Sequence, residues 1–338
     1  RPPRESRRPW LQLRCPGGRG VVRTVAAGVV HPGAVAFCAL STLVLASLSR
    51  AVLALVQRPD PEYGLETYLQ HIPRSTGFLK SLRPVVCLGD CLTRGNLSAD
   101  WVALVRATLE RRWGIFSKPV LNAGTNLHCA RNARNRLEDI LACRPSHVVV
   151  LIGTNDLKAE LSPVESLACR VLNGLEEAPT LELYEQELLE IRERLLCSGA
   201  CVAFASPPIV GEDILSPANR RAATYASVVR RVARCGGRGC VYLPLYEHTV
   251  TALPAAPAGE PYNGLRFLFW LCADLYTSGR SRRSLAEVQR ERKLHVTVDL
   301  VHLGPVAAES MAKMVTDFVT FWPPAGGPDE SRVLVRPL

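Results

Sequence analysis

Val85-Val86-Cys87-Leu88-Gly89-Asp90-Cys91-Leu92-Thr93-Arg94-Gly95 is the stretch from which the fold is read. An apolar run rich in Val and Leu breaks into Gly-Asp, then a side chain capable of nucleophilic attack, then a turn closed by glycine. Such a run reads as a buried strand, and in an open α/β sheet the carboxyl ends of the strands are where ligands sit. Two later segments repeat the arrangement. Gly153-Thr154-Asn155-Asp156 follows the apolar run 148–152, and Asp299-Leu300-Val301-His302 follows the alternating run 294–298. Three strand ends are thus expected to carry a thiol, a side-chain amide, and a carboxylate with an imidazole three positions on.

The intervening sequence alternates strand and helix signals. Leu97, Trp101, Val102, Val105, Leu109 and Trp113 share one helical face, with Ser98 as the expected N-cap and Gly114 as the stop. Residues 120–122 read as a short strand, 130–141 as a helix, 147–152 as the third strand and 181–196 as a helix. Residues 201–205 read as the fourth strand, 217–233 as a helix and 240–245 as the fifth strand. A last helix opens at Pro305, with Ala307, Met311, Met314, Val315 and Phe318 as its core face. This alternation predicts a parallel sheet covered by helices on both faces. The aromatic stretch Tyr262 to Tyr276 reads first as a helix buried under the sheet edge, with a ligand-pocket wall or a membrane-surface segment as competing uses. Residues 280–292 read as a basic, solvated helix.

Taken in order, Gly89-Asp90-Cys91-Leu92, Asn122-Ala123-Gly124, Gly153-Thr154-Asn155-Asp156 and Asp299 to His302 resemble the four blocks of the SGNH or GDSL-type hydrolases, which include lipases, esterases and acylhydrolases. The resemblance covers roughly residues 83–321. It implies a three-layer αβα sandwich around a five-stranded parallel sheet of flavodoxin-like type, with catalysis by nucleophilic acyl transfer. It also implies His302 as base, Asp299 as the partner that orients it, and an oxyanion hole built from the backbone N–H of Cys91, the backbone N–H of Gly124 and the amide of Asn155. No metal or cofactor is implied. Asp90 is expected to cap the turn that holds position 91, and Asn122 and Asn126 to form turns.

The chain departs from the family at one decisive place: the nucleophile is Ser there and Cys91 here. Three readings of Cys91 stand. It is a working thiol nucleophile, since a Cys paired with His reaches the thiolate form, or the mark of a binding scaffold for glycan or lipid, or an error for Ser in the sequence. Retention of Asp299, His302, Gly124 and Asn155 argues for an ester hydrolase, with transfer of the acyl group to a sugar hydroxyl as a further possibility. The expected partner is a small-molecule ester, a lipid or an acylated glycan.

Composition bounds the remaining classes. With 47% hydrophobic and 21% charged residues the chain is of globular type. The net charge of +10 is uneven: residues 1–24 carry seven Arg against one Glu. The excess sits in a leader without interleaved aromatics, which argues against nucleic-acid binding. Twelve Cys show no familiar zinc spacing. The chain divides into a basic leader 1–24, an apolar segment 25–56, a Pro-containing linker 57–82, the hydrolase-like domain 83–322 and a loosely ordered tail 323–338. Residues 33–56 are long enough to span a bilayer as a helix, with Arg50 snorkelling or marking the end of the span and the Arg cluster on the cytoplasmic side. This predicts a single-pass signal anchor with a lumenal or extracellular domain. A cleaved signal peptide and an organelle transit sequence are the alternatives.

Overall fold

Alternate residues of a strand point to opposite faces, and in four of the five strands here both faces are buried. The structure, a computed structural model, describes residues 63–71, 83–114, 117–235, 240–255, 259–277 and 283–322. The leader, the apolar segment 25–56 and the tail 323–338 lie outside the described residues. Among the described residues no helix is long and apolar enough to cross a membrane.

Five strands form one parallel sheet: β1 (Val85–Gly89), β2 (Val120–Gly124), β3 (His147–Leu151), β4 (Cys201–Ala205) and β5 (Cys240–Leu243). Their spatial order is β2-β1-β3-β4-β5, so β1 lies between β2 and β3, with Gly89 in register with Gly124 and Leu151. Val86, Leu88, Val148, Val150, Val202 and Phe204 point to one layer of helices. Val85, Cys87, Val149, Leu151, Cys201 and Ala203 point to the other. This double burial is why the strands read as continuous apolar runs rather than alternating ones.

The helices, in chain order, are α1 (Leu65–His71), α2 (Cys91–Arg94), α3 (Trp101–Trp113), α4 (Ala130–Asn135), α5 (Leu137–Ala142), α6 (Thr154–Ala159), α7 (Pro163–Asn173), α8 (Leu181–Cys197), α9 (Pro217–Arg234), α10 (Leu245–Thr251), α11 (Gly264–Thr277), α12 (Leu285–Glu291) and α13 (Pro305–Phe321). The first face is covered by α4, α5, α8 and α9, through residues such as Ile140, Tyr184, Ile191 and Val229. The second is covered by α3 and α13, through Trp101, Val105, Met311 and Val315.

Several expectations shift. Residues 63–71, read as linker, belong to the domain: Asn122 N–H donates to the Tyr63 carbonyl (3.0 Å), and Leu65, Tyr68 and Leu69 pack on the core. The helix expected from Leu97 begins at Trp101, because Asp100 accepts from Ala103 N–H (2.9 Å) as its N-cap. Ser98 instead accepts from Leu303 N–H at 3.0 Å. The expected helix 130–141 is two helices broken at Arg136, whose guanidinium reaches the carbonyls of Ala123 (2.9 Å) and Gly89 (3.3 Å) and ties the carboxyl ends of β2 and β1 together.

The run 294–298 is no strand. The N–H groups of His295, Val296 and Thr297 go to the Glu212 carboxylate instead of a neighbouring strand, leaving one bridge between Thr297 and Leu303. Nor is the aromatic helix α11 buried, since Leu265 is 82% and Phe269 70% exposed. Within 280–292, α12 spans Leu285–Glu291, and Arg292 beyond it pairs with Asp274 of α11 at 2.7 Å.

Candidate active site

Strand β1 ends at Gly89, where close packing leaves no room for a side chain: a Cβ there would lie 2.1 Å from Thr93 Oγ1 and 2.3 Å from the Leu151 carbonyl. Asp90, fully buried, then accepts from Leu92 N–H (2.9 Å) and opens the single turn of α2, as its expected capping role requires. This sets Cys91 at the carboxyl edge of the sheet, 6% exposed. Burial pushes the Asp90 carboxyl up to about 7.

Asn122 secures the same turn from the neighbouring strand. Its Nδ2 donates to the carbonyls of Thr93 (2.9 Å) and Arg94 (3.3 Å), and its Oδ1 accepts from Gly124 N–H at 2.9 Å. Asn122 is therefore a buried tie rather than a turn former. The bond also engages the Gly124 N–H, which was expected to serve the oxyanion hole. Gly124 has a different use here: a Cβ on it would lie 2.3 Å from Arg94 N, so its lack of a side chain lets α2 lie against β2.

At the end of β3, Gly153 adopts φ +118° and opens α6. Asn155, in the first turn, donates one Nδ2 hydrogen to the His128 carbonyl (2.9 Å), which fixes the plane of its amide and leaves its second hydrogen. Asp156 beside it is buried and accepts from Ala130 N–H with both oxygens (3.1 Å each), so it ties the start of α4 to α6.

Asp299 and His302 are 1% and 2% exposed, and their Oδ2 and Nδ1 lie 2.6 Å apart. The other carboxylate oxygen accepts from Val301 N–H (3.1 Å) and His302 N–H (2.7 Å), so one Asp side chain shapes the turn and orients the ring. The turn demands φ +78° at Leu300, a conformation costly for a residue with a Cβ. Burial by itself disfavours an imidazolium, but the Asp299 charge, followed by Cys91, holds the His302 pKa well above the usual range. Against the effect of burial, His302 and the turn N–H groups hold the Asp299 carboxyl below its usual range. Nε2 of His302 is buried without a formed hydrogen bond. Cys91 is among the groups whose proximity raises the His302 pKa.

Sequence reasoning passed over Glu212, which holds this loop in place. The buried carboxylate accepts from the N–H groups of His295 (2.8 Å), Val296 (2.8 Å) and Thr297 (2.9 Å) and from Thr297 Oγ1 (3.1 Å). Charge-assisted bonds to consecutive amides replace a sheet ladder. Gly211 N–H adds a bond to the Leu300 carbonyl at 2.7 Å. A Glu in a loop after β4 carries no pattern that would have marked it. Phe267 of α11, within the aromatic stretch for which a ligand-pocket wall was one of the expected uses, has its ring 6.0 Å from that of His302.

The sequence matches the model of the GDSL-like lipase/acylhydrolase family over residues 87–266. The chain belongs to this family. Among solved structures, Axe2, an acetylxylan esterase from Geobacillus stearothermophilus, is similar at 16% identity over 71% of this chain and 94% of that chain, with a TM-score of 0.51. A catalytic mutant of the same enzyme is similar at 15% identity over 69% of this chain and 92% of that chain, with a TM-score of 0.50. At this identity the likeness shows the shared fold. No curated protein matches the sequence.

Proposed function

We propose that this member of the GDSL-like family is a carboxylic ester hydrolase that works through a thioester on Cys91, with His302 as base and Asp299 as its orienting partner. The observation that supports it most is the buried His302 ring, fixed at Nδ1 by Asp299 and free at Nε2, with Cys91 beside it.

In this reading Cys91 Sγ–H gives its proton to Nε2, and the thiolate attacks the ester carbonyl. The carbonyl electron pair moves onto oxygen, where the Cys91 N–H and the second Asn155 Nδ2 hydrogen act as donors. Collapse breaks the carbon–oxygen bond to the alcohol, which leaves with the proton held by His302. Water then gives a proton to His302 as its oxygen attacks the thioester, and the thiolate departs and is reprotonated. Asp299 stabilises the imidazolium in both halves, and Gly124 serves packing rather than the oxyanion.

The test is labelling of the intact protein with a thiol-directed acyl probe, followed by kinetics on paired oxygen esters and thioesters. Labelling at Cys91 that falls at least ten-fold in His302→Ala is expected. Cys91→Ser is expected to shift preference from thioesters and activated esters toward alkyl esters, because the surroundings are those the family uses to activate a hydroxyl. Silence of parent and Cys91→Ser on every acyl substrate would defeat the hydrolase reading. The apolar run 25–56 supports a membrane anchor for this enzyme by its composition alone.

A further inference from the structure

An apolar cleft of about 760 Å³ opens beside the candidate site. One wall is α7, none of whose residues is buried and whose Val164 is 77% exposed. The other wall is α11, which presents Leu265, Phe267, Leu268 and Leu271 to the cleft. The two walls are tied at one end, where Tyr262 Oη donates to the Glu165 carboxylate.

The cleft is continuous with the reacting groups. Asn155 forms part of its lining, and so does Phe267, the ring that faces His302 at 6.0 Å. Lys158, one turn beyond Asn155, lays its ammonium 4.1 Å from the centroid of Phe267, the ring that faces His302. Most of the remaining lining is apolar, including Val164, Ala168, Leu172, Leu265, Leu268 and Leu271. An ester whose carbonyl sits at Asn155 would have its acyl substituent leading into this space.

The size of the cleft decides between acyl classes. An acetyl group occupies the share of two or three waters, under about 100 Å³, and would leave most of the cleft filled with water against apolar walls. A cleft of this volume lies within the usual range for an extended ligand. Each methylene moved from water onto such walls adds roughly a three- to four-fold preference.

We infer that the cleft between α7 and α11 takes the unbranched acyl chain, eight carbons or longer, of an ester held at Cys91. This inference rests on the hydrolase reading for its placement of the carbonyl, and it goes beyond that reading by assigning the acyl class. It sets this chain apart from the acetylxylan esterases whose fold it shares.

The experiment pairs turnover with binding. On thioesters from two to sixteen carbons, kept below their micelle concentrations, kcat/KM of the parent is expected to rise at least ten-fold from acetyl to octanoyl. In Ala168→Trp, which puts an indole into the cleft from α7, the octanoyl-to-acetyl ratio is expected to fall at least ten-fold. Separately, Cys91→Ala is expected to bind the fluorescent fatty acid cis-parinaric acid, and the double variant with Ala168→Trp to bind it at least ten-fold more weakly. A parent that prefers acetyl, together with parinaric acid binding absent or indifferent to Ala168→Trp, overturns the acyl cleft and leaves the hydrolase intact. Binding sensitive to Ala168→Trp in a protein that turns over no acyl substrate keeps the cleft and overturns the hydrolase.

Discussion

The Asp90 carboxyl sits next to Cys91 in the chain, with one oxygen spent on Leu92 N–H and the other buried without a partner. Its pKa of about 7 lies above the value near 4 of an unfolded chain, so between those limits the folded state holds a proton that the unfolded state has lost. Stability therefore falls as pH rises from about 4 to 7, by a few kcal/mol at most. The Asp299–His302 pair acts oppositely at each side. Its contribution is complete between the unfolded-chain values, about 4 for Asp and about 6.5 for His, and is lost as pH falls from there through the lowered Asp299 pKa or rises through the raised His302 pKa. Asp90→Asn keeps an oxygen for the cap and has no proton to lose, so urea unfolding from pH 4 to 8 should show a flatter profile than the parent. An unchanged slope would mean that Asp90 is ionised throughout. Gly153 gives a second test at this scale. A Cβ there would meet the Tyr184 ring at 2.6 Å in a backbone conformation that L side chains rarely adopt, so Gly153→Ala should cost about 2 kcal/mol or more by denaturant midpoint.

At the scale of elements, the loop 294–303 is the part of the site that no local pattern maintains. Four donors converge on Glu212, and removing the carboxylate would leave buried amides unpaired. Glu212→Ala should lower stability by about 3 kcal/mol and abolish labelling at Cys91, while Glu212→Gln, which keeps one acceptor oxygen, should retain part of both. Equal labelling in all three proteins would show that the loop holds itself. This loop also shows where sequence is informative and where it is not. The strand ends were legible because burial on both faces forces runs such as Val148 to Ile152, and because Gly89 and Gly153 stand where a side chain cannot fit. Asp299 and His302 were legible through their spacing. The support for them was not, because a carboxylate that replaces a strand leaves the alternating 294–298 run looking like a strand. Ser98 misled for a similar reason. A hydroxyl before a helix reads as a cap, and only the tertiary fold shows that Asp100 takes that task while Ser98 reaches Leu303. The aromatic run 262–276 was legible as a helix, but its burial was not, since an apolar helix under a sheet and one lining an open cleft share a composition.

For the whole molecule, the apolar run 25–56 and the basic residues before it set the expected location. After carbonate extraction the intact chain should stay with the membrane pellet, while a chain starting at Tyr63 should enter the supernatant; full release of the intact chain would refute the anchor. Among the described residues every strand lies between Val85 and Leu243, whereas the turn bearing Asp299 and His302 is fastened to residues far earlier, Ser98 and Leu303 being 205 positions apart. During synthesis the sulfur therefore emerges long before its base. Under the hydrolase reading, a ribosome-bound chain holds Cys91 before His302 is made, and the pair forms only once the turn 299–302 is fastened to the sheet. On that reading biosynthesis itself is a timer, and a product arrested before His302 lacks the base that would activate its thiol.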